Sequence, residues 1–100
     1  HKKVEKDLES VDVFTRSQVM ELLALVAKGV SLGMPASRPM PSVAHGAHEL
    51  RVKSGEGQYR VFYYVKAKDA ILVFHGFKKK TEKTPLLEIE TGRKRLGDML

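Results

Sequence analysis

The sequence predicts an α+β domain: an N-terminal helical hairpin packed on a small antiparallel sheet and followed by a C-terminal helix. Three observations lead there. Apolar residues recur every three to four positions up to about residue 28, which is helical spacing. From Ala47 the period becomes two, interrupted by turn residues at 54–57 and 66–69, the pattern of an antiparallel meander. After Thr84 the helical period returns, led by Pro85. One hundred residues hold one core, so residues 1–100 form a single domain.

The first helix is expected over residues 2–10, where Val4 and Leu8 lie at i, i+4 on one face. The second follows closely. Thr15 and Gln18 have capping-box spacing, and Asp12 offers an earlier cap. Val19, Leu22, Leu23 and Val26, with Met20, carry its apolar stripe to about Lys28, and Gly29 supplies a stop. Residues 29–47 hold Gly33, Pro35, Pro39, Pro41 and Gly46 and are expected to form a loop, with Arg38 and His45 solvated on it. Leu50 and Val52 then alternate with Glu49, Arg51 and Lys53 in a first strand. The second strand is expected over 58–65 and the third over 70–77. A last helix is expected over 84–96, capped by Thr84. Leu87, Ile89 and Leu96 should face the core, and Arg93, Lys94 and Arg95 suit its C-terminal end.

Composition narrows the class. A hydrophobic content of 42% suits a folded domain. No run approaches the roughly 18 apolar residues of a membrane span. His1-Lys2-Lys3 is not followed by the apolar segment of a secretory leader, so none is expected. The chain has no cysteine, which rules out disulfides and thiolate metal sites and fits a cytoplasmic protein. Net charge is +6, unevenly spread. Residues 1–50 hold six Lys/Arg and six Asp/Glu, whereas residues 51–100 hold twelve and six. A basic half beside a neutral half is the electrostatic footprint of a nucleic-acid or phosphate surface.

Strand alternation locates that surface. If Leu50 and Val52 face the helices, Glu49, Arg51 and Lys53 face away. On the next strand Tyr59, Val61, Tyr63 and Val65 form the helix-facing set; Gln58, Arg60, Phe62 and Tyr64 form the other. Arg51, Lys53 and Arg60 thus share a face with two aromatic rings. Cations interleaved with aromatics suit single-stranded RNA, which offers phosphates to pair and bases to stack. Packing beneath the C-terminal helix is the competing reading for Phe62 and Tyr64, and a surface salt bridge with Glu49 is the competing reading for Arg60. Metal-free RNA cleavage needs a base for the 2′-hydroxyl, cations for the phosphorane and an acid for the 5′-oxygen. The sequence has no carboxylate or histidine cluster at metal-ligand spacing and no nucleophile-elbow motif, so neither a metal nor another cofactor is expected. It offers instead Arg51, Lys53, Arg60, His75 and the run Lys78, Lys79, Lys80 at the end of a strand. His75 is the residue whose ordinary pKa suits acid–base work near neutrality, with a structural role as the alternative. His48 falls on the apolar register and reads as a packing residue.

Glu49-Leu50-Arg51, Tyr59-Arg60-Val61-Phe62-Tyr63, His75-Gly76-Phe77-Lys78-Lys79-Lys80-Thr81 and Lys83-Thr84-Pro85 together resemble the RelE/HigB toxin superfamily of type II toxin–antitoxin modules. The resemblance is specific over about residues 47–96 and points to the phage-derived HigB-like branch. It implies a RelE-like microbial RNase fold and a metal-independent, ribosome-dependent mRNA endonuclease, an mRNA interferase that enters the A site and inhibits translation. It also implies a cognate helix-turn-helix antitoxin, with operator DNA contacted only through that antitoxin, and no membrane partner. Arg60 matches the arginine that holds the scissile phosphate. Arg51 and Lys53 correspond to basic residues of the preceding strand, and Lys79, or its neighbours Lys78 and Lys80, to a further phosphate-binding cation. Lys83 joins the RNA-binding set, as do Phe62 and Tyr64 as stacking groups. No tyrosine follows Tyr64, so the acid or stacking role that relatives give a C-terminal tyrosine or histidine is vacant or falls to His75. Relatives begin with a strand before the first helix. Here the sequence opens in that helix, so a three-stranded sheet with an exposed edge is expected. A ParE-like inhibitor of DNA gyrase and a non-catalytic RNA-binding module are the alternatives.

Overall fold

A computed structural model describes residues 1–55, 57–67, 70–80 and 83–100. Three helices and a four-stranded antiparallel sheet form an α+β fold in which the sheet separates two apolar layers. Helix α1 spans Lys2–Glu9 and α2 spans Val13–Ala27. Asp12, not Thr15, caps α2: its Oδ1 accepts from the backbone N–H of Thr15 at 2.8 Å. Gly29, at φ +94°, turns the chain out of α2 in a conformation that other residues rarely adopt.

The strands are β1 (Ser37–Pro39), β2 (Ala47–Ser54), β3 (Gly57–Ala67) and β4 (Ala70–Lys79), paired in that order. The sheet therefore has four strands where three were expected. The additional one comes from the proline-rich stretch read as a loop. Pro39 ends it, and its short register, Ser37 with Leu50 and Arg38 with Glu49, leaves Pro39 at the edge where proline is tolerated. Tyr63 and Ser37 join their hydroxyls at 2.6 Å beneath it, which satisfies both inside the core. Of the two expected turns, Glu56, Lys68 and Asp69 lie outside the described residues.

Alternation sorts the sheet as predicted except at Val65, which is 45% exposed rather than packed under the helices. Leu50, Val52, Tyr59, Val61 and Tyr63 pack with Val19, Leu23 and Val26 of α2. The opposite face carries Phe62, Phe74 and Phe77 under Leu96 of α3 (Leu86–Met99). Between Phe62 and Tyr63 the β3–β4 register slips by one residue, and Phe74 is the extra residue of that bulge. Gly92 brings α3 onto this layer: a Cβ there would stand 2.7 Å from Phe62 Cδ2.

Helix α3 departs from expectation in three respects. Its N-cap is Pro85, without a side-chain cap bond; Thr84 Oγ1 donates to Glu49 Oε2 instead. Leu87 is 70% exposed rather than in the core. No basic residue lies in its last turn, because the helix runs on to Met99, beyond Arg93, Lys94 and Arg95; Arg95 turns inward to Asp7 of α1, Nη1 to Oδ2 at 2.6 Å. Among the described residues no helix is long and apolar enough to cross a membrane.

Candidate functional site

A groove of about 690 Å³ opens beside the ends of β2, β3 and β4. Seven basic side chains line it: Arg38, Arg51, Lys53, Arg60, Lys79, Lys80 and Lys83. Met34, Gln58, Gly55 and Gly57 complete the lining. Six of these cations are the ones expected to bind RNA; the seventh, Arg38, was expected on a solvated loop.

Register explains the convergence. Arg51 stands directly opposite Arg60, Lys53 opposite Gln58, and Gln58 opposite Lys79. Directly paired residues project to one face, so strand pairing alone places four cations and a glutamine together. Arg38 comes from β1, where its partner in register is Glu49.

The floor of the groove is built on Glu49, which is fully buried. Its Oε1 accepts from Arg38 Nε at 3.1 Å and from Arg60 Nη1. Its Oε2 accepts from Thr84, whose oxygen in turn accepts from Arg38 Nη2 and Lys79 Nζ, each at 3.3 Å. One carboxylate and one hydroxyl thus hold three cations in place. Arg60 is 1% exposed, and its Nη2 donates to Gln58 Oε1. The expected link between Arg60 and Glu49 is therefore a buried ion pair, not a surface one.

The network leaves donors over. The Nε atoms of Arg51 and Arg60 are both buried without a hydrogen-bond partner among the described residues. Buried polar atoms are ordinarily satisfied, and like charges directly opposite on a sheet repel. An anion in the groove would offset that repulsion. Burial, and then the charge of Arg60, hold the Lys79 ammonium below the usual lysine range. Burial likewise lowers Arg60, with Glu49 pulling the other way.

Other predicted site residues lie elsewhere. Lys78 pairs with Tyr59 and lines a smaller depression with Asp7 and Asp12 on the α1 side. Phe62 is fully buried beneath α3, and Tyr64 is packed against the same layer, so the packing reading fits both better than stacking on a base. His75 is buried between α1 and α3. Arg95 Nη1 lies 3.0 Å from His75 Nδ1, and Glu88 Oε1 lies 3.0 Å from Nε2. Since arginine only donates, Nδ1 accepts and the Nε2–H donates to Glu88. Both ring nitrogens are engaged, and the ring is not part of the groove lining. Thr81 of the resemblance motif lies outside the described residues.

Sequence reasoning missed Arg38, Glu49 and Thr84 as members of the site. The signal for Arg38 was its place across from Glu49, visible only once 37–39 is known to be a strand.

An α+β sheet that gathers arginines and lysines around one buried carboxylate gives this small domain a strongly basic groove. The chain belongs to the phage-derived Gp49-like protein family (DUF891), whose model matches residues 6–97, and this is a toxin-like family of the RelE/HigB type. No curated protein and no solved structure matches it.

Proposed function

We propose that this protein is the toxin of a type II toxin–antitoxin module and that it cleaves mRNA on the ribosome through the basic groove. The observation that carries this reading is the pair Arg51 and Arg60, directly opposite in register and both lining a groove with five further cations. An RNA phosphate there has charge-assisted donors on two sides. In the reaction solvent water takes the proton of the 2′-hydroxyl, whose oxygen attacks the adjacent phosphorus. The cations stabilise the phosphorane, and the 5′-oxygen leaves with a proton. Arg51, Arg60 and Lys53 hold the phosphate. Lys79, a stronger acid than an ordinary lysine, gives the proton to the leaving oxygen in place of His75. The cognate partner is a helix-turn-helix antitoxin, and the substrate is mRNA in the ribosomal A site.

The test is induction in growing cells, followed by mapping of mRNA 5′ ends. In-frame cuts that vanish when translation is blocked, and that Arg51→Ala and Lys79→Met suppress, are expected. Intact mRNA with defective DNA supercoiling would move the assignment to gyrase inhibition.

A second reading is favoured by one observation: the groove lining contains no imidazole. A module that binds single-stranded RNA without cutting it would show salt-sensitive affinity and uncut message in the same experiment.

A further inference from the structure

Helix α2 is apolar on a side that the sheet does not cover. Val13 is 72% exposed and Met20 53%, and Ser17 and Ala24 are exposed with them. Spacings of four, three and four keep these residues in one line along a helix. With Arg16 and Glu21 they form a shallow depression of about 510 Å³.

The two charged residues flank that line. At 100° per residue, Arg16 falls about 70° to one side of its centre and Glu21 about 70° to the other. Among the described residues neither side chain forms an ion pair, and Arg16 Nε is buried without a partner. In a parallel helix pair, seam residues meet their own copies. A charged residue on one flank meets the residue five positions later on the opposite flank of the partner. Arg16 and Glu21 are five apart and opposite in charge. Antiparallel pairing would bring each flank against its own copy, arginine to arginine.

We propose that α2 is a self-association surface. Two copies of this chain pack their α2 helices in parallel about a twofold axis. Val13, Ser17, Met20 and Ala24 form the seam, and Arg16 of each copy pairs with Glu21 of the other. Ser17 and Ala24 are small enough for close approach, and the flexible Met20 side chain fills the layer between them. The inference does not depend on the RNA reading, since the groove shares none of these residues. A seam this short predicts a concentration-dependent dimer rather than a permanent one.

Sedimentation velocity of the full chain over a range of concentrations tests this. A monomer–dimer equilibrium is expected, with Arg16→Glu and Glu21→Arg each raising the dissociation constant about tenfold, because attraction becomes repulsion at both symmetric pairs. The double variant should recover the original affinity, and an equimolar mixture of the two single variants should form the mixed dimer. The chain has no cysteine, so Ser17→Cys is a clean probe. Mild oxidation should link two copies through it, whereas Gln18→Cys, off the seam, should stay unlinked. A chain that is monomeric at every concentration, a dimer indifferent to the charge reversals, or a Ser17→Cys variant that does not cross-link would each overturn the proposal.

Discussion

Arg51 and Arg60 stand directly opposite each other on β2 and β3, and the Nε of each is buried without a partner. The folded chain therefore carries an electrostatic cost, and on the proposed function a bound anion would lower it. Inorganic phosphate, and more strongly a short single-stranded RNA, should raise the melting temperature. Arg51→Met should bind that RNA about tenfold more weakly and lower the slope of log affinity against log salt by about one. Fluorescence anisotropy at several salt concentrations reads both. An unchanged slope would remove Arg51 from the phosphate site.

Glu49 holds Arg38 and Arg60 from a fully buried position. Removing it leaves two cations uncompensated in the floor. Glu49→Ala should cost on the order of 3–5 kcal/mol in urea unfolding, as breaking a buried ion pair does. Loss of less than about 1 kcal/mol, the scale of a surface pair, would show that the floor relaxes into solvent.

His75 links Arg95 of α3 to the sheet and accompanies the Asp7–Arg95 pair that ties α3 to α1. His75→Ala should therefore act on stability, costing roughly 1–3 kcal/mol for the bonds left unmade. RNA affinity should stay within about twofold of the parent. Thermal unfolding and anisotropy on the same sample separate the two. An RNA-cleavage defect in a well-folded variant would restore His75 to the chemistry.

Two sets of groups give opposite alkaline trends. Lys79 has its folded pKa below the ordinary 10.5. Between those two values the unfolded chain binds a proton that the folded chain does not, so stability rises with pH. Lys79→Met should flatten that rise. Burial raises the phenols of Tyr59 and Tyr63 above the ordinary 10.0. Above that value the unfolded chain ionises them while the folded chain does not, so stability falls. Their tyrosinate absorbance should appear only with alkaline unfolding, and earlier, reversible ionisation of both rings would contradict their burial.

Gly92 is where α3 meets Phe62 most closely. Gly92→Ala adds a helix-favouring methyl but overpacks a fully buried ring, and the overpacking should dominate, costing about 1–3 kcal/mol. A more stable variant in thermal unfolding would show that the Phe62 ring can yield.

The sheet and its two faces were legible in the sequence because period-two alternation is a local signal. Leu50, Val52 and Val61 could be assigned to the α2 side without any three-dimensional knowledge. Residues 37–39 were not legible: three residues ending in proline carry no period, and pairing with β2 is what makes them a strand. The basic groove was legible in part, since Arg51, Lys53, Arg60 and Lys79 follow from register. The buried role of Glu49 was hidden, because alternation gives the face of a residue and not what covers it. Phe62 illustrates the same limit: its side of the sheet was foreseen, but α3 above it makes it core. Thr84 looked like a cap because threonine before proline usually is one, yet its hydroxyl is drawn to the buried carboxylate.

The bulge at Phe74 sets the phase of β4. Before it, Ile71 and Val73 pack with the α2 layer and Leu72 with the α3 layer; after it, the odd residues His75, Phe77 and Lys79 take the α3 and groove side. A length change of one residue at this point would be invisible in composition and conservative in hydropathy. It would nonetheless exchange Lys79 for Lys78 at the groove and Phe77 for Gly76 in the core. Among homologous chains, insertions and deletions near position 74 should therefore occur in compensated pairs or not at all, a constraint on strand length rather than on any single amino acid.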